Sequence, residues 1–212
     1  LQGIDTDIIR RHPKPLIGYS DITALHALWF REGLLALHAP MLASDLVRPG
    51  HEADADAIFG WLQQGLRAGT VLAPELPADA PRQPGVAQGR LVGGNLSLVA
   101  AGCGTPWQLD TRGAVLFIED VGEAIHRVDR MLLQLRHAGL LDAAAGFLLG
   151  SFTEDEDPQA VVQAELMRYG KPVLGGWPAG HGVPNRPLPM GALVRLDAGA
   201  GTLVVEQDVL VP

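Results

Sequence analysis

The chain has 212 residues, of which 47% are hydrophobic, and its formal net charge is −8. This length and hydrophobic content suffice for one large domain or two small ones and exclude a disordered tail. Lysines and arginines form no cluster beyond Arg10 and Arg11. An acidic chain without a basic patch is a poor match for nucleic acid or an anionic membrane surface, so we expect a small-molecule or peptide substrate.

The cysteine and hydropathy patterns indicate the compartment. Cys103 is the single cysteine, so the chain can form neither an internal disulfide nor a cysteine-based zinc site, and a reducing compartment such as the cytoplasm is expected. No apolar stretch reaches the roughly 18 residues of a membrane helix, and the first residues lack the pattern of a signal peptide. The sequence has no initiator Met, which predicts a start partway through a longer chain.

The first part of the chain alternates strand and helix patterns. Short apolar runs predict strands over 16–19 and 34–38, and helical spacing of apolar residues predicts helices over 22–31 and 53–66. Residues 73–88 are rich in proline and have no periodicity, which predicts a linker or a long surface loop. We therefore place a domain boundary there, between residues 1–72 and residues 89–212.

The second part continues the mixed α/β order without a repeat. Gly93 and Gly94 predict a tight or open backbone before a short helix, and residues 114–118 form a buried strand that runs into two acids. The clearest helical stripe covers 124–138. The remaining predictions are a strand over 146–152, a solvated acidic loop over 154–157, a helix over 158–169, and a hairpin of 193–196 with 203–206.

The stretch GYSDI places Ser20 where a strand ends and a helix begins. Two interpretations compete. Ser20 or Asp21 could simply cap the helix, because both residue types are preferred N-caps. Alternatively, Ser20 is a nucleophile on a strand-to-helix bend, although the second glycine of the G-x-S-x-G pattern is absent here. The local sequence alone favours the cap.

A base and an acid for such a serine are found elsewhere in the chain. The seven histidines show no metal-ligand spacing, so no metal is expected. His181 differs from the others because glycines flank it in a proline-rich loop that can present an imidazole, although an ordinary surface loop is equally compatible. Glu119 at the end of a buried strand could orient the imidazole, or could merely begin the next helix.

Several stretches together resemble the LD-carboxypeptidases, a family of serine peptidases also called muramoyltetrapeptide carboxypeptidases. They occur in the same order over nearly the whole chain. The matching blocks are PKPLIGYSDITALH (13–26), HAPML (38–42), GRLVGGNLSLVAAGCGTPW (89–107), VLFIEDVGEAIHRVDRMLLQLRHAGLL (115–141), GFLLGSF (146–152) and GHGVPNRPLPMG (180–191).

The resemblance implies roles for individual residues. Ser20 would be the nucleophile, Glu119 would orient the histidine, and His181 would be the general base. Glu123 is the alternative for the acid, and the backbone N–H of Asp21 would stabilise the oxyanion. No cofactor and no metal are implied.

The resemblance also implies a fold and a reaction. The fold would be α/β, with residues 1–72 as the C-terminal part of an N-terminal sheet domain that carries the nucleophile elbow. A mixed α/β C-terminal domain would follow, with a small β-barrel-like or swivelling core. The reaction would release terminal D-alanine from a murein tetrapeptide by hydrolysis of an L,D-amide bond, and the protein would be a homodimer.

Two further expectations concern the parts that complete the site. A substrate carboxylate needs a cation, and Arg90, Arg127 and Arg186 lie in or near the matching blocks. Members of the family have an α/β segment upstream of the residue that is Leu1 here, with a glycine-rich loop that offers a second oxyanion N–H. We therefore expect either an upstream segment or a fragment with little activity.

Two other functions are compatible with the same blocks. Microcin-C immunity peptidases resemble them and cleave acyl-nucleotide conjugates, in which case Trp107 and Trp177 are candidates for stacking on a base. A non-catalytic peptide-binding relative without the upstream oxyanion loop is the other alternative.

Overall fold

The structure is a computed structural model, and it describes residues 1–153 and 157–210. The helices within these ranges are α1 (Thr6–Arg11), α2 (Thr23–Arg31), α3 (Glu52–Gln64), α4 (Leu96–Gly102), α5 (Ile125–His137), α6 (Leu140–Ala143) and α7 (Gln159–Met167). The strands are β1 (Leu16–Gly18), β2 (Ala36–His38), β3 (Val71–Leu72), β4 (Arg82–Gln83), β5 (Val86–Asn95), β6 (Val115–Val121), β7 (Gly146–Thr153), β8 (Val173–Leu174), β9 (Leu188–Met190), β10 (Leu193–Asp197) and β11 (Thr202–Val205). Among the described helices, none is long and apolar enough to cross a bilayer.

A small sheet holds the beginning of the chain. It has the order β1-β2-β9, with β1 and β2 parallel and β9 antiparallel to β2. One row of this ladder joins Gly18 to His38 and His38 to Leu188. A strand from near the end of the chain, β9, therefore pairs with β2, which on its other edge pairs with the strand that precedes Ser20.

The larger sheet has eight strands in the order β3-β11-β10-β5-β6-β7-β8-β4. Strands β5 to β8 are parallel, and the strands on both sides of this block pair antiparallel. The sheet curls into a half-barrel with helices beside it. This architecture confirms the predicted fold class, an α/β sheet portion followed by a mixed α/β part with a barrel-like core.

The two faces of β6 point into two different cores. Leu116 and Ile118 pack with the helices α4, α5 and α7, whereas Val115 and Phe117 pack on the other face with β9 and β10. This alternation is the period-2 pattern of a strand buried on both sides. The second core also contains Leu188 of β9, so it joins the small sheet to the large one.

The helical stripe of α5 is confirmed, since Val128, Leu132 and Leu135 are buried. The predicted strands around β1, β2 and β7 and the hairpin of β10 and β11 are confirmed as well. The acidic loop predicted over 154–157 falls largely outside the described residues.

The predicted backbone at Gly93 and Gly94 is confirmed. Both lie near the end of β5 with φ of +117° and +136°, and the short helix α4 begins two residues after Gly94. One expectation about the middle of the chain needs correction, because residues 73–88 contain β4 and the first residues of β5. The domain boundary itself stays a prediction.

Candidate functional site

Ser20 lies at a sharp bend between β1 and α2. Tyr19 is extended, and Ser20 begins a single 3₁₀ turn, Ser20–Ile22, that leads into the helix. Its φ is +59°, and it is the one non-glycine residue with a positive φ in the described ranges. This conformation costs a non-glycine residue on the order of 1–3 kcal/mol, and such strain concentrates at functional sites. Neither Ser20 nor Asp21 caps a helix, because Tyr19 and Ile22 hold the N-cap positions and neither makes a side-chain capping bond. The strained strand-to-helix bend is the geometry that the nucleophile interpretation predicts, and the role of Ser20 stays a prediction.

The bend packs tightly against its surroundings. A Cβ on Gly18 would lie 2.9 Å from Ile22 Cγ1, and a Cβ on Gly94 would lie 2.4 Å from Thr23 Oγ1. The backbone N–H of Asn95 donates to the same Thr23 oxygen over 2.9 Å. The glycines of β5 thus let the end of that strand touch the start of α2, directly after Ser20.

Glu119 and His181 are joined by a short hydrogen bond. His181 Nδ1–H donates to Glu119 Oε2 over 2.7 Å. Glu119 is completely buried, whereas 15% of the His181 side chain is exposed. Tyr19, which directly precedes Ser20, contacts this pair, because its ring centroid lies 4.8 Å from that of His181. The structure therefore brings Glu119, His181 and the residue preceding Ser20 together.

Adjacent acids on β6 have different partners because they point to opposite faces of the strand. Glu119 follows Phe117 on the face toward β9, at a position where the register between β6 and β7 shifts. Asp120 points toward α4, where its carboxylate accepts from Asn95 Nδ2 over 2.8 Å and from Ser97 Oγ over 2.8 Å. Asp120 therefore anchors the start of α4.

Glu123, the alternative acid, has Ser97 and Arg127 as its polar neighbours. Its Oε1 accepts from Ser97 Oγ over 3.5 Å, and its Oε2 lies 3.7 Å from Arg127 Nη1. It is Glu119, and not Glu123, that accepts the hydrogen bond from His181.

Two buried histidines lie behind Glu119. His38 Nε2 is 3.9 Å from Glu119 Oε1, and the rings of His38 and His26 are 6.1 Å apart. Burial lowers the pKa of His26 to about 3, and repulsion from His38 adds to this effect. For Glu119, burial opposes ionisation, but hydrogen bonding to His181 and His38 and attraction to the same two imidazoles outweigh it and lower its pKa. Glu119 is therefore held as a carboxylate.

Tyr19 is a site residue that the sequence analysis did not single out. Its ring lies between His38, at 5.9 Å, and His181, at 4.8 Å. Burial raises its pKa to about 12, and the charge and hydrogen bond of Asp45 contribute to the increase. Tyr19 therefore stays neutral and packs edge-on against the imidazole, and the only sequence signal for this was its position before Ser20.

The three candidate arginines have different surroundings. Arg90 Nη1 donates to the Gly191 carbonyl and to Gln207 Oε1, and Arg186 Nη1 donates to Asp54 Oδ1 over 3.0 Å. Arg127 is 64% exposed. The assignment of one of them to a substrate carboxylate stays a prediction.

The two candidate tryptophans also differ. Trp177 is buried, with 2% exposed, so it presents no face for stacking. Trp107 lines a cavity of about 220 Å³ between α2 and α4, and the Arg31 guanidinium lies 5.2 Å from its ring centroid.

Comparison with known proteins identifies the family. The model of the LD-carboxypeptidase C-terminal domain matches residues 88–196, and that of the LD-carboxypeptidase N-terminal domain matches residues 1–39. The chain is 38% identical, over 98% of its length, to a probable murein peptide carboxypeptidase of Bacillus subtilis. It is 34% identical, over 93% of its length, to a murein tetrapeptide carboxypeptidase of Pseudomonas aeruginosa, and each alignment covers 67% of the relative.

Solved structures agree with this result. The muramoyltetrapeptide carboxypeptidase of Oxalobacter formigenes superposes with a TM-score of 0.83 at 30% identity, covering 96% of this chain and 71% of the other. MccF in complex with glutamyl sulfamoyl guanosine shares the fold, with a TM-score of 0.87 at 23% identity over 99% of this chain and 72% of that one.

The fold and the two matched domain models place this chain among the serine LD-carboxypeptidases, which are hydrolases. The chain belongs to the LD-carboxypeptidase family, as its blocks of sequence predicted. It spans between 63% and 67% of the length of the first three curated relatives it matches.

Proposed function

We propose that the protein is a serine-type LD-carboxypeptidase that removes terminal D-alanine from murein tetrapeptides. The observation that carries the proposal is the 2.7 Å hydrogen bond from His181 to buried Glu119, next to a serine at φ +59°. The names of the relatives in B. subtilis and P. aeruginosa supply the substrate class.

In the proposed mechanism, the Ser20 hydroxyl attacks the carbonyl carbon of the scissile amide while Nε2 of His181 takes its proton. Glu119 accepts the Nδ1–H bond, which fixes the tautomer and stabilises the imidazolium that forms. The imidazolium then protonates the leaving amine of D-alanine. A water molecule, deprotonated by His181, hydrolyses the acyl-enzyme.

The proposed oxyanion donor is the backbone N–H of Asp21, the second residue of the 3₁₀ turn. The first N–H groups of a helical segment lack partners within that segment and point outward from its start. A donor of this kind stabilises the developing negative charge by several kcal/mol, on the order of 3 in a measured case.

A second candidate is cleavage of an acyl-nucleotide conjugate. The observation in its favour is the 28% identity, over 93% of this chain, to the microcin C7 self-immunity protein MccF of Escherichia coli. The buried position of Trp177 removes one of the two aromatic residues that were candidates for stacking on the base.

The decisive experiment compares wild type with Ser20→Ala. A fluorophosphonate probe should label wild type at Ser20 alone, as mapped by mass spectrometry, and should not label the variant. Wild type should also release D-alanine from a murein tetrapeptide, with the same loss in Ser20→Ala.

Other outcomes separate the alternatives. Labelling at Ser20 with cleavage of an aminoacyl sulfamoyl nucleotide, but no release of D-alanine, would support the second candidate. Binding of tetrapeptide without labelling would show a non-catalytic binding protein and refute the catalytic assignment of Ser20, Glu119 and His181.

A further inference from the structure

The loop that presents His181 is held in part by the side chain of Asp54, which comes from the distant helix α3. This loop connects β8 to β9, over residues 175–187, and contains no helix or strand. On one side it is bonded to β7, where Ser151 N–H donates to the Ala179 carbonyl over 2.9 Å and Gly182 N–H donates to Ser151 Oγ over 3.1 Å. These bonds fix the loop against the sheet but leave its other side to be fixed separately.

Asn185 closes the other side of the loop. Its Oδ1 accepts from the backbone N–H of Gly180 over 2.9 Å, and the Arg186 N–H donates to the Pro178 carbonyl over 2.7 Å. Because Gly180 directly precedes His181, the bond from Gly180 to the Asn185 amide restrains the backbone that carries the imidazole.

Asp54, in the first turn of α3, holds Asn185 in turn. Its Oδ2 accepts from the backbone N–H of Asn185 over 3.0 Å and from His51 Nδ1 over 2.9 Å, and its Oδ1 accepts from Arg186 Nη1. Asp54 is completely buried and Asn185 is 1% exposed. A buried carboxylate with three donors forms stronger and shorter hydrogen bonds than neutral groups do, so this connection is stiff.

The clearance around Gly180 shows how little movement the site tolerates. A Cβ on Gly180 would lie 2.6 Å from Glu119 Oε2 and 2.7 Å from Ser151 Oγ. The backbone of the loop at Gly180 therefore packs directly against the Glu119 carboxylate, which accepts the hydrogen bond from His181. A shift of a few tenths of an ångström at Gly180 would change the Nδ1 to Oε2 distance.

We propose that Asp54 is a positioning residue for His181, acting through Asn185 and Gly180. The inference rests on the proposed function only for its kinetic readout, since the hydrogen-bond path itself is structural. Asp54→Asn replaces the carboxylate by an amide that cannot accept all three donors, and Asn185→Ala removes the acceptor for the Gly180 N–H. Asp56→Asn, the same substitution at an exposed position of α3, is the matched control.

Two readouts test the proposal. The first is the rate of fluorophosphonate labelling of Ser20, which should fall on the order of a hundredfold in Asp54→Asn and Asn185→Ala, because misplacement of a catalytic group by about 1 Å has that cost. The second is the downfield proton resonance of His181 Nδ1–H, assigned by its loss in Glu119→Gln, which should shift or broaden in both variants. Asp56→Asn should match wild type in both readouts.

The double variant and a folding control complete the test. Because one path is proposed, Asp54→Asn combined with Asn185→Ala should label no more than about threefold more slowly than the slower single variant. A folded Asp54→Asn protein, judged by circular dichroism, with wild-type labelling and an unchanged resonance would refute the proposal. If Asp54→Asn does not fold, Asn185→Ala decides by the same two readouts. If wild type is not labelled at all, the proposed function fails, and the resonance alone decides the positioning role.

Discussion

At the scale of single residues, Ser20 combines two demands that conflict. Its hydroxyl is needed for the proposed chemistry, while its φ of +59° suits glycine better than serine. Proteins tolerate such strain where the surrounding structure fixes it, and here Gly18 and Gly94 allow the close packing around the bend. The strain at Ser20 should therefore be measurable as a lower free energy of unfolding.

Replacing Ser20 by glycine tests this strain. Ser20→Gly should be more stable than Ser20→Ala by about 1 kcal/mol, because alanine keeps the strained conformation and glycine relieves it. Urea unfolding of the two variants measures the difference, and neither should react with the fluorophosphonate. Equal or lower stability of Ser20→Gly would show that the bend is not strained.

His26 should make the fold sensitive to acid. Its pKa is about 3 in the folded protein against an ordinary value of 6.5, so below pH 6.5 the unfolded chain binds a proton that the folded chain does not. Stability from this group is therefore complete above pH 6.5 and is lost as the pH falls toward 3. Between pH 7 and pH 4 the loss should be about 3 kcal/mol.

The variant His26→Leu removes this dependence. Neither ring nitrogen has a partner of good hydrogen-bond geometry among the described residues, and the backbone of Leu37 only partly offsets the low pKa, so the substitution removes little hydrogen bonding. Urea unfolding at pH 7 and at pH 4 should give a smaller difference for His26→Leu than for wild type. His137→Leu, at an exposed position of α5, should keep the wild-type difference, and an equal difference in His26→Leu would contradict the assignment.

At the scale of elements, the contact between the end of β5 and the start of α2 connects the larger sheet to the bend at Ser20. Gly94 has a φ of +136°, and a Cβ there would lie 2.4 Å from Thr23 Oγ1. The same hydroxyl accepts from the Asn95 N–H. The close approach leaves no room for any side chain, so the glycine pair of β5 is a packing requirement.

The substitution Gly94→Ala should therefore destabilise the protein by about 2–3 kcal/mol and slow the labelling of Ser20. Gly60→Ala is the matched control, because nothing lies within 4 Å of its Cβ position inside α3. It should stabilise the protein by about 0.5–1 kcal/mol, since alanine favours a helix. Thermal unfolding compares them, and a Gly94→Ala protein as stable as wild type would rule out the close contact.

Elements with a regular pattern could be predicted, and those defined by distant contacts could not. The stripe of Val128, Leu132 and Leu135 predicts α5 because a helix repeats every 3.6 residues. By contrast, β5 ends in the pair Gly93 and Gly94, which local propensity disfavours in a strand, and these residues extend the strand because residues 91–95 pair with β6. Tertiary pairing overrides local propensity there.

The site shows the same division. Ser20, Glu119 and His181 could be nominated from residue types and family blocks, but their roles stay predictions. Asp54 could not be nominated, because its bonds to Asn185 and Arg186 join positions 131 and 132 residues apart, and nothing in either local stretch signals the other.

At the scale of the whole molecule, the two sheets share a core. Leu188 and Met190 of β9, in the small sheet, pack with Phe117 and Leu148 of the large sheet. Because neither sheet buries that face without the other, we expect them to unfold together.

This expectation is tested by urea titration with two probes. The labelling of Ser20 and the circular dichroism signal should be lost at the same urea concentration. Loss of labelling at a clearly lower concentration would show that the small sheet unfolds alone, which would instead support the predicted boundary at residues 73–88. Light scattering on the same samples tests the predicted homodimer, which should have twice the mass of one chain.

The row of residues that joins Gly18, His38 and Leu188 has a mechanical consequence. The strand that leads to Ser20 and the strand that follows the His181 loop both pair with β2, and both pair there with His38. Residues 182–187 separate His181 from β9, so the length of this segment limits how far the proposed base can lie from the proposed nucleophile. Inserting residues between His181 and Leu188 would let His181 move while Ser20 stays in place. The length of this segment could therefore change the distance between Ser20 and His181 in steps, without replacing either side chain.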